Sequence, residues 1–276
     1  MGIVKIQRSS PPRAPVADIR EAREDMTEYV IHITSSINAL IEILRAGKIN
    51  ASFSQMGNIY SARVKPTVRG PWPAVCFTDQ PLWALIDTVN TCGGRWSGYG
   101  IAVHKVPLFR AGGRPVWYMS PGDMGSELKE GQKHYKKGCR IHGGKIPPDL
   151  QFLCVAYQPD YSYTHNSQID FTWEREWRYI SKRNNSFSLW TPWGRKPAIV
   201  VKDDEDKEII RKELKKLTSE GKEWADKFRG IISLETAQRR LEDGRTRHGR
   251  VETWPFVIIK KKATKKPPKP LRRTGD

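Results

Sequence analysis

Residues 29–47, YVIHITSSINALIEILRAG, decide the fold. Tyr29, Val30, Ile31 and Ile33 make a short apolar run rich in β-branched side chains, which reads as a buried strand. Thr34, Ser35 and Ser36 follow and offer N-cap oxygens. Ile37, Leu40, Ile41 and Leu44 then fall at i, i+3, i+4 and i+7, the apolar face of a helix. Gly47 suits the left-handed position just past the helix end. Strand, cap, amphipathic helix and turn thus succeed one another, and such a unit buries its apolar faces only by packing helix on sheet.

Working outward, residues 74–78 (AVCFT), 99–106, 116–119, 152–157, 176–180, 198–201 and 254–259 read as further short strands. Residues 81–90 read as a helix opened by Pro81. Residues 203–217 read as a charged helix with acids in its first turn. Residues 220–250 hold one or two basic helices, and 48–73 is a long Gly- and Pro-punctuated loop. Residues 120–148 form a basic, Gly-rich insertion with helical potential over 126–137. Short strands outnumber helices, so the expected class is α+β with a mixed or antiparallel core. The chain divides into a basic arm at 1–27, one domain at 28–259 and a disordered basic tail at 260–276.

The 276 residues include 10 Trp, 9 Tyr and 8 Phe, enough aromatics for a packed core. No run approaches the ~18 apolar residues of a membrane span. The opening residues lack the apolar stretch of a secretory signal, and four cysteines are too few for a disulfide scaffold. A cytoplasmic protein with reduced thiols is expected.

Lys and Arg number 48 against 30 Asp and Glu, a net charge of +18. Residues 260–276 contribute eight cations and one anion, or +7, and the body carries the remaining +11. Lys133, Lys136, Lys137 and Arg140, with Tyr135 and His134 among them, form one concentration. This excess points to a polyanion, and nucleic acid fits best because phosphate contacts dominate such affinities. Aromatics among the cations suit base stacking.

Metal chemistry is weakly signalled. Cys139 and His142 have ligand-like spacing, with Cys154 and His165 further on, but no second pair matches. No phosphate-binding loop, nucleophile elbow or zinc-protease helix motif occurs. Three features remain. His32 and Thr34 share a face of the first strand, with Asn38 on the helix beyond. A loop carries Tyr60, Arg63 and Arg69, and a loop arginine can clamp a pyrophosphate. Glu174 and Glu176, in the string EREWR at 174–178, sit two apart at a strand start and so face one side. Such a pair serves acid–base work, a metal, a glycosyl cation, or simply a ladder of Glu and Arg.

Together these segments resemble a family. HIT at 32–34, with NAL at 38–40 and ILRAGKI at 43–49, is similar to the opening of DarT-like ADP-ribosyltransferases. CFTDQPLW (76–83), YGIAV (99–103), PVWYM (115–119) and EREWR resemble AbiGi-type abortive-infection proteins. The resemblance covers residues 28–202 and implies an ADP-ribosyltransferase-like fold using NAD. It implies that His32 binds the nicotinamide-side ribose, that Thr34 and Asn38 line the NAD pocket, and that Arg63 (or Arg69) contacts phosphate. Tyr99 or Tyr60 would stack on nicotinamide, Glu176 would be the catalytic carboxylate, and Glu174 would orient the acceptor. Transfer of ADP-ribose to a nucleic-acid base follows as the expected activity, in a toxin or phage-defence effector with an antitoxin as possible partner. A binding protein without the chemistry, and a metal-dependent nuclease, are the alternatives.

Overall fold

The computed structural model describes residues 27–52, 55–56, 65–66, 72–92, 96–119, 140–141, 144–147, 149–162, 167–169, 172–180, 185–189 and 196–242. The arm at 1–26, the helix expected over 126–137, the strand expected over 254–259 and the tail at 260–276 lie outside the described residues.

Seven strands form one sheet: β1 (Tyr29–Thr34), β2 (Val75–Thr78), β3 (Tyr99–His104), β4 (Arg114–Pro115), β5 (Glu176–Tyr179), β6 (Ala198–Val201) and β7 (Ile231–Ser233). Their order is β7-β6-β3-β1-β2-β5-β4. Every neighbouring pair is antiparallel except β6 and β7, which run parallel. The described helices are α1 (Ile37–Ala46), α2 (Leu82–Cys92), α3 (Lys105–Ala111), α4 (Asp204–Ser219) and α5 (Leu234–Glu242). The class is α+β, as the sequence implies.

Side-chain alternation along the strands divides the core in two. Val30, Val75, Phe77, Ile101, Val103, Ile199 and Val201 face one side, under Leu40 and Leu44 of α1 and Ile210 and Leu217 of α4. Tyr29, Ile31, Ala102, Ala198, Val200 and Ile232 face the other, under Leu85 and Ile86 of α2 and Leu234 and Ala237 of α5. β1 is the spine. It pairs with β3 along its whole length, from Tyr29 opposite His104 to Thr34 opposite Tyr99.

The unit at 29–47 forms as its sequence dictates. The Ser36 hydroxyl accepts from the Ala39 N–H at 3.2 Å, and Gly47 takes φ +64°. Trp224 lies over that glycine and donates its indole N–H to the Leu44 carbonyl at 2.7 Å, closing the helix end.

Several elements depart from expectation. The strand expected over 99–106 stops at His104, whose Nδ1 accepts from the Val106 N–H at 3.1 Å and caps α3. Pro107 has no N–H for a sheet ladder but is tolerated in a first helical turn. β7 is not foreseen by the sequence, because three residues are too few to show alternation. The loop expected over 48–73 also contains a strand, Lys48–Asn50, antiparallel to Ser186–Ser188.

Gly47→Ala would force a side chain into the left-handed region and to within 2.8 Å of the Trp224 ring. The expected loss is about 1–3 kcal/mol of unfolding free energy, read by urea denaturation.

Candidate functional site

The strings CFTDQPLW and EREWR form adjacent antiparallel strands, β2 and β5, with Thr78 opposite Glu176 and Cys76 opposite Arg178. Side chains at their ends knit the pair together. The Thr78 hydroxyl donates to the Glu174 carbonyl at 2.6 Å. The Asp79 N–H donates to the Arg175 carbonyl at 3.1 Å. Asp79 Oδ1 accepts from Thr27 and pairs with Lys105 Nζ at 2.7 Å, while its Oδ2 accepts from the Trp177 indole at 3.3 Å. Gln80 Nε2 donates to the Trp173 carbonyl at 3.1 Å and to Thr88 Oγ1 of α2 at 3.3 Å.

At the centre is Arg178, with 1 % of its side chain exposed. Its Nε and Nη2 donate to the two carboxylate oxygens of Glu176 at 2.8 and 2.9 Å. Its Nη1 donates to the Phe152 carbonyl at 2.8 Å and the Cys154 carbonyl at 3.5 Å. Burial works against the guanidinium's charge, but the carboxylate beside it wins and holds its pKa above the ordinary arginine value. Glu176 is itself only 13 % exposed, so its carboxylate is spoken for by a bidentate partner. Burial, then the nearby carboxylate, pushes the Cys76 thiol far up, so Cys76 is not a nucleophile at neutral pH. Tyr118, whose hydroxyl accepts from the Glu176 N–H at 3.4 Å, is pushed up to about 12, chiefly by burial.

The residues expected around NAD are divided by the sheet. Ile31 lies opposite Thr78, and Thr78 opposite Glu176, so these three share the α2/α5 face. His32, one residue on, points to the α1/α4 face, where its ring meets Phe77 edge-on at 5.9 Å between centroids. Its Nδ1–H donates to the Cys76 carbonyl at 2.8 Å, joining β1 to β2 beyond their single backbone bridge. Burial pulls the His32 pKa below 6.5, so the ring is neutral. The Thr34 hydroxyl is shared between the Ser36 and Tyr99 carbonyls at 3.1 and 3.3 Å. The Tyr99 hydroxyl donates to Asp206 of α4 at 2.6 Å, and burial together with that carboxylate pushes its pKa up. Asn38 is exposed in the first turn of α1. The structure therefore gathers His32, Thr34 and Tyr99 on one face and sets Glu176 on the other. Glu174 ends a 3-10 turn, Thr172–Glu174, just before β5.

Tyr60, Arg63, Arg69, Lys133, Tyr135, Lys136 and Lys137 lie outside the described residues, as do Cys139, His142 and His165. Arg140 opens a two-residue strand paired with Gly144–Lys145. Among the described residues no group of three or more His, Cys, Asp or Glu is arranged to hold a metal ion, and no helix is long and apolar enough to cross a membrane. Sequence reasoning misses Arg178, Gln80 and Tyr118. For Arg178 the signal is present: a Glu and an Arg two apart on a strand share a face and pair.

Residues 54–219, more than half of the chain, match the family model described as "Putative abortive phage resistance protein AbiGi, antitoxin". The match covers β2 to α4 and so includes both knitted strings; β1, with His32 and Thr34, lies before it. It bears on the AbiGi half of the resemblance and not on the DarT-like half. No curated protein and no solved structure matches the chain.

Because folded His32 stays neutral where an unfolded chain protonates, the unfolded state binds more protons below pH 6.5. Stability is expected to fall as pH drops from about 7.5 to about 5.5. His32→Gln, which keeps a donor toward Cys76, is expected to flatten that slope in denaturant titrations at each pH.

Proposed function

This chain belongs to the AbiGi family, and from that premise we propose that it is a phage-defence antitoxin that works by binding, with nucleic acid and a toxin polypeptide as its partners. The observation that carries the reading is the engagement of Glu176 by Arg178. A carboxylate that stabilises a developing ribosyl cation must face the substrate and be free to respond to it. Glu176 instead neutralises a buried arginine, and His32 points away on the opposite face.

The charge distribution supports the same reading. The described residues hold 22 Lys and Arg against 19 Asp and Glu, a net +3. The remaining 26 cations and 11 anions leave +15 of the +18 to the other segments. Several described surface cations are also matched by carboxylates, as in Arg45–Glu213, Arg239–Asp204 and Arg211–Glu208. A near-neutral scaffold carrying cationic segments suits phosphate contacts that are strong and salt-dependent.

ADP-ribosyl transfer from NAD to a nucleic-acid base is the competing proposal, and it needs Arg178 to release Glu176. One experiment separates the two. The full chain is incubated with labelled NAD and single- and double-stranded DNA and RNA, and oligonucleotide affinity is measured across salt concentrations. Salt-dependent binding without consumption of NAD is the expected result. Label on any acceptor, or release of nicotinamide, would overturn the binding reading. Replacing Lys260, Lys261, Lys262, Lys265, Lys266, Lys269, Arg272 and Arg273 with Gln is expected to reduce the slope of log affinity against log salt. The reduction should be about 1 for each phosphate that the variant no longer neutralises. The same protein should keep the wild-type melting temperature.

A further inference from the structure

At the rim of the α2/α5 face, the 3-10 turn Thr172–Glu174 presents Trp173 with 42 % of its surface exposed. Its indole lies tilted on that of buried Trp96, with 5.5 Å between centroids. Directly after the turn, Arg175 holds φ +47°, a conformation that non-glycine residues adopt at a cost, so the turn is held by its surroundings. Beneath it lies Gln80, only 3 % exposed. Its Nε2 donates both to the Trp173 carbonyl and to Thr88, which fixes the amide's orientation. The Oε1 of the same amide is buried and has no hydrogen-bond partner among the described residues. An acceptor left unpaired in the interior is costly, and such atoms call for an explanation. An aromatic platform beside an unfilled acceptor matches what an unpaired nucleobase requires: a π-face to stack on and an acceptor for its amine or imino N–H.

We propose that Trp173 and Gln80 form a subsite for a single unstacked nucleobase, Trp173 stacking on the base and Gln80 Oε1 accepting a hydrogen bond from its edge. A base on the exposed Trp173 changes the environment of that ring and of Trp96 packed against it, and reaching the buried oxygen requires the groups around it to yield. The subsite rests on the nucleic-acid reading above and deepens it, since it supplies base contacts that the cationic segments do not.

The test uses fluorescein-labelled single-stranded oligonucleotides of about ten nucleotides, one set with bases and one abasic, a length within the usual single-strand site size. They are titrated against the full chain and the variants Trp173→Leu, Trp173→Phe and Gln80→Met. Melting curves establish that each variant folds. Trp173→Leu is expected to weaken binding to the base-containing strand roughly tenfold, the scale of one base stack. Trp173→Phe should restore most of it, because Phe also stacks. The abasic strand should bind the wild type about as weakly as the base-containing strand binds Trp173→Leu, and should not distinguish the variants. Gln80→Met should weaken the base-containing strand alone. Equal affinities of folded wild type, Trp173→Leu and Trp173→Phe would overturn the subsite while leaving nucleic-acid binding standing, and Gln80 would then simply hold an internal water. Quenching of tryptophan fluorescence by free nucleoside monophosphates reads the subsite without the phosphate backbone. Quenching by them, abolished in Trp173→Leu, with no binding of any oligonucleotide would keep the subsite and overturn the nucleic-acid reading. Neither quenching nor binding would overturn both.

Discussion

A guanidinium with 1 % of its surface exposed constrains everything around it. A charge withdrawn from water is tolerated only when paired and fully hydrogen-bonded. Arg178 answers that condition by placing four of its five N–H donors, on two oxygens from Glu176 and two backbone carbonyls from the 152–154 segment. The requirement fixes β5 against β2, because a one-residue slip would send Glu176 and Arg178 to the apolar α1/α4 face. It also ties the segment after residue 150 to the sheet, since the Phe152 and Cys154 carbonyls both accept from Nη1.

The two strings that look most like chemistry in the sequence are therefore one structural unit. In CFTDQPLW, Thr78, Asp79 and Gln80 each reach the turn and strand of EREWR, and Trp177 reaches back to Asp79. The charged and polar groups of both strings are mostly satisfied by one another. Among the described residues, Trp173 is exposed at the rim and Gln80 keeps an unfilled acceptor.

Local features are legible in the sequence. The Ser36 cap, the α1 apolar stripe, the left-handed Gly47 and the acidic start of α4 all depend on neighbours within a few residues, and each forms. The α+β class follows from the number and shortness of the strands. The relation between His32 and Glu176 is not legible. Their residue types suit one pocket, but sharing a face depends on the registers of β1, β2 and β5, which are set between positions far apart in the chain. α3 is hidden because the alternation of β3 runs on into Val106, and only the His104 cap and Pro107 mark the change.

The claim that carries most weight is that Glu176 serves Arg178 rather than a substrate. A double-mutant cycle on unfolding free energy with Glu176→Gln, Arg178→Met and the pair tests it directly. The account predicts that Glu176→Gln alone costs about 3–5 kcal/mol, the scale for stripping a buried charge of its partner. The double variant should be less destabilised than the two single effects added together, with a coupling of roughly 2–3 kcal/mol. A Glu176→Gln protein as stable as the wild type, with coupling near zero, would contradict the account and return Glu176 to the candidates for catalysis.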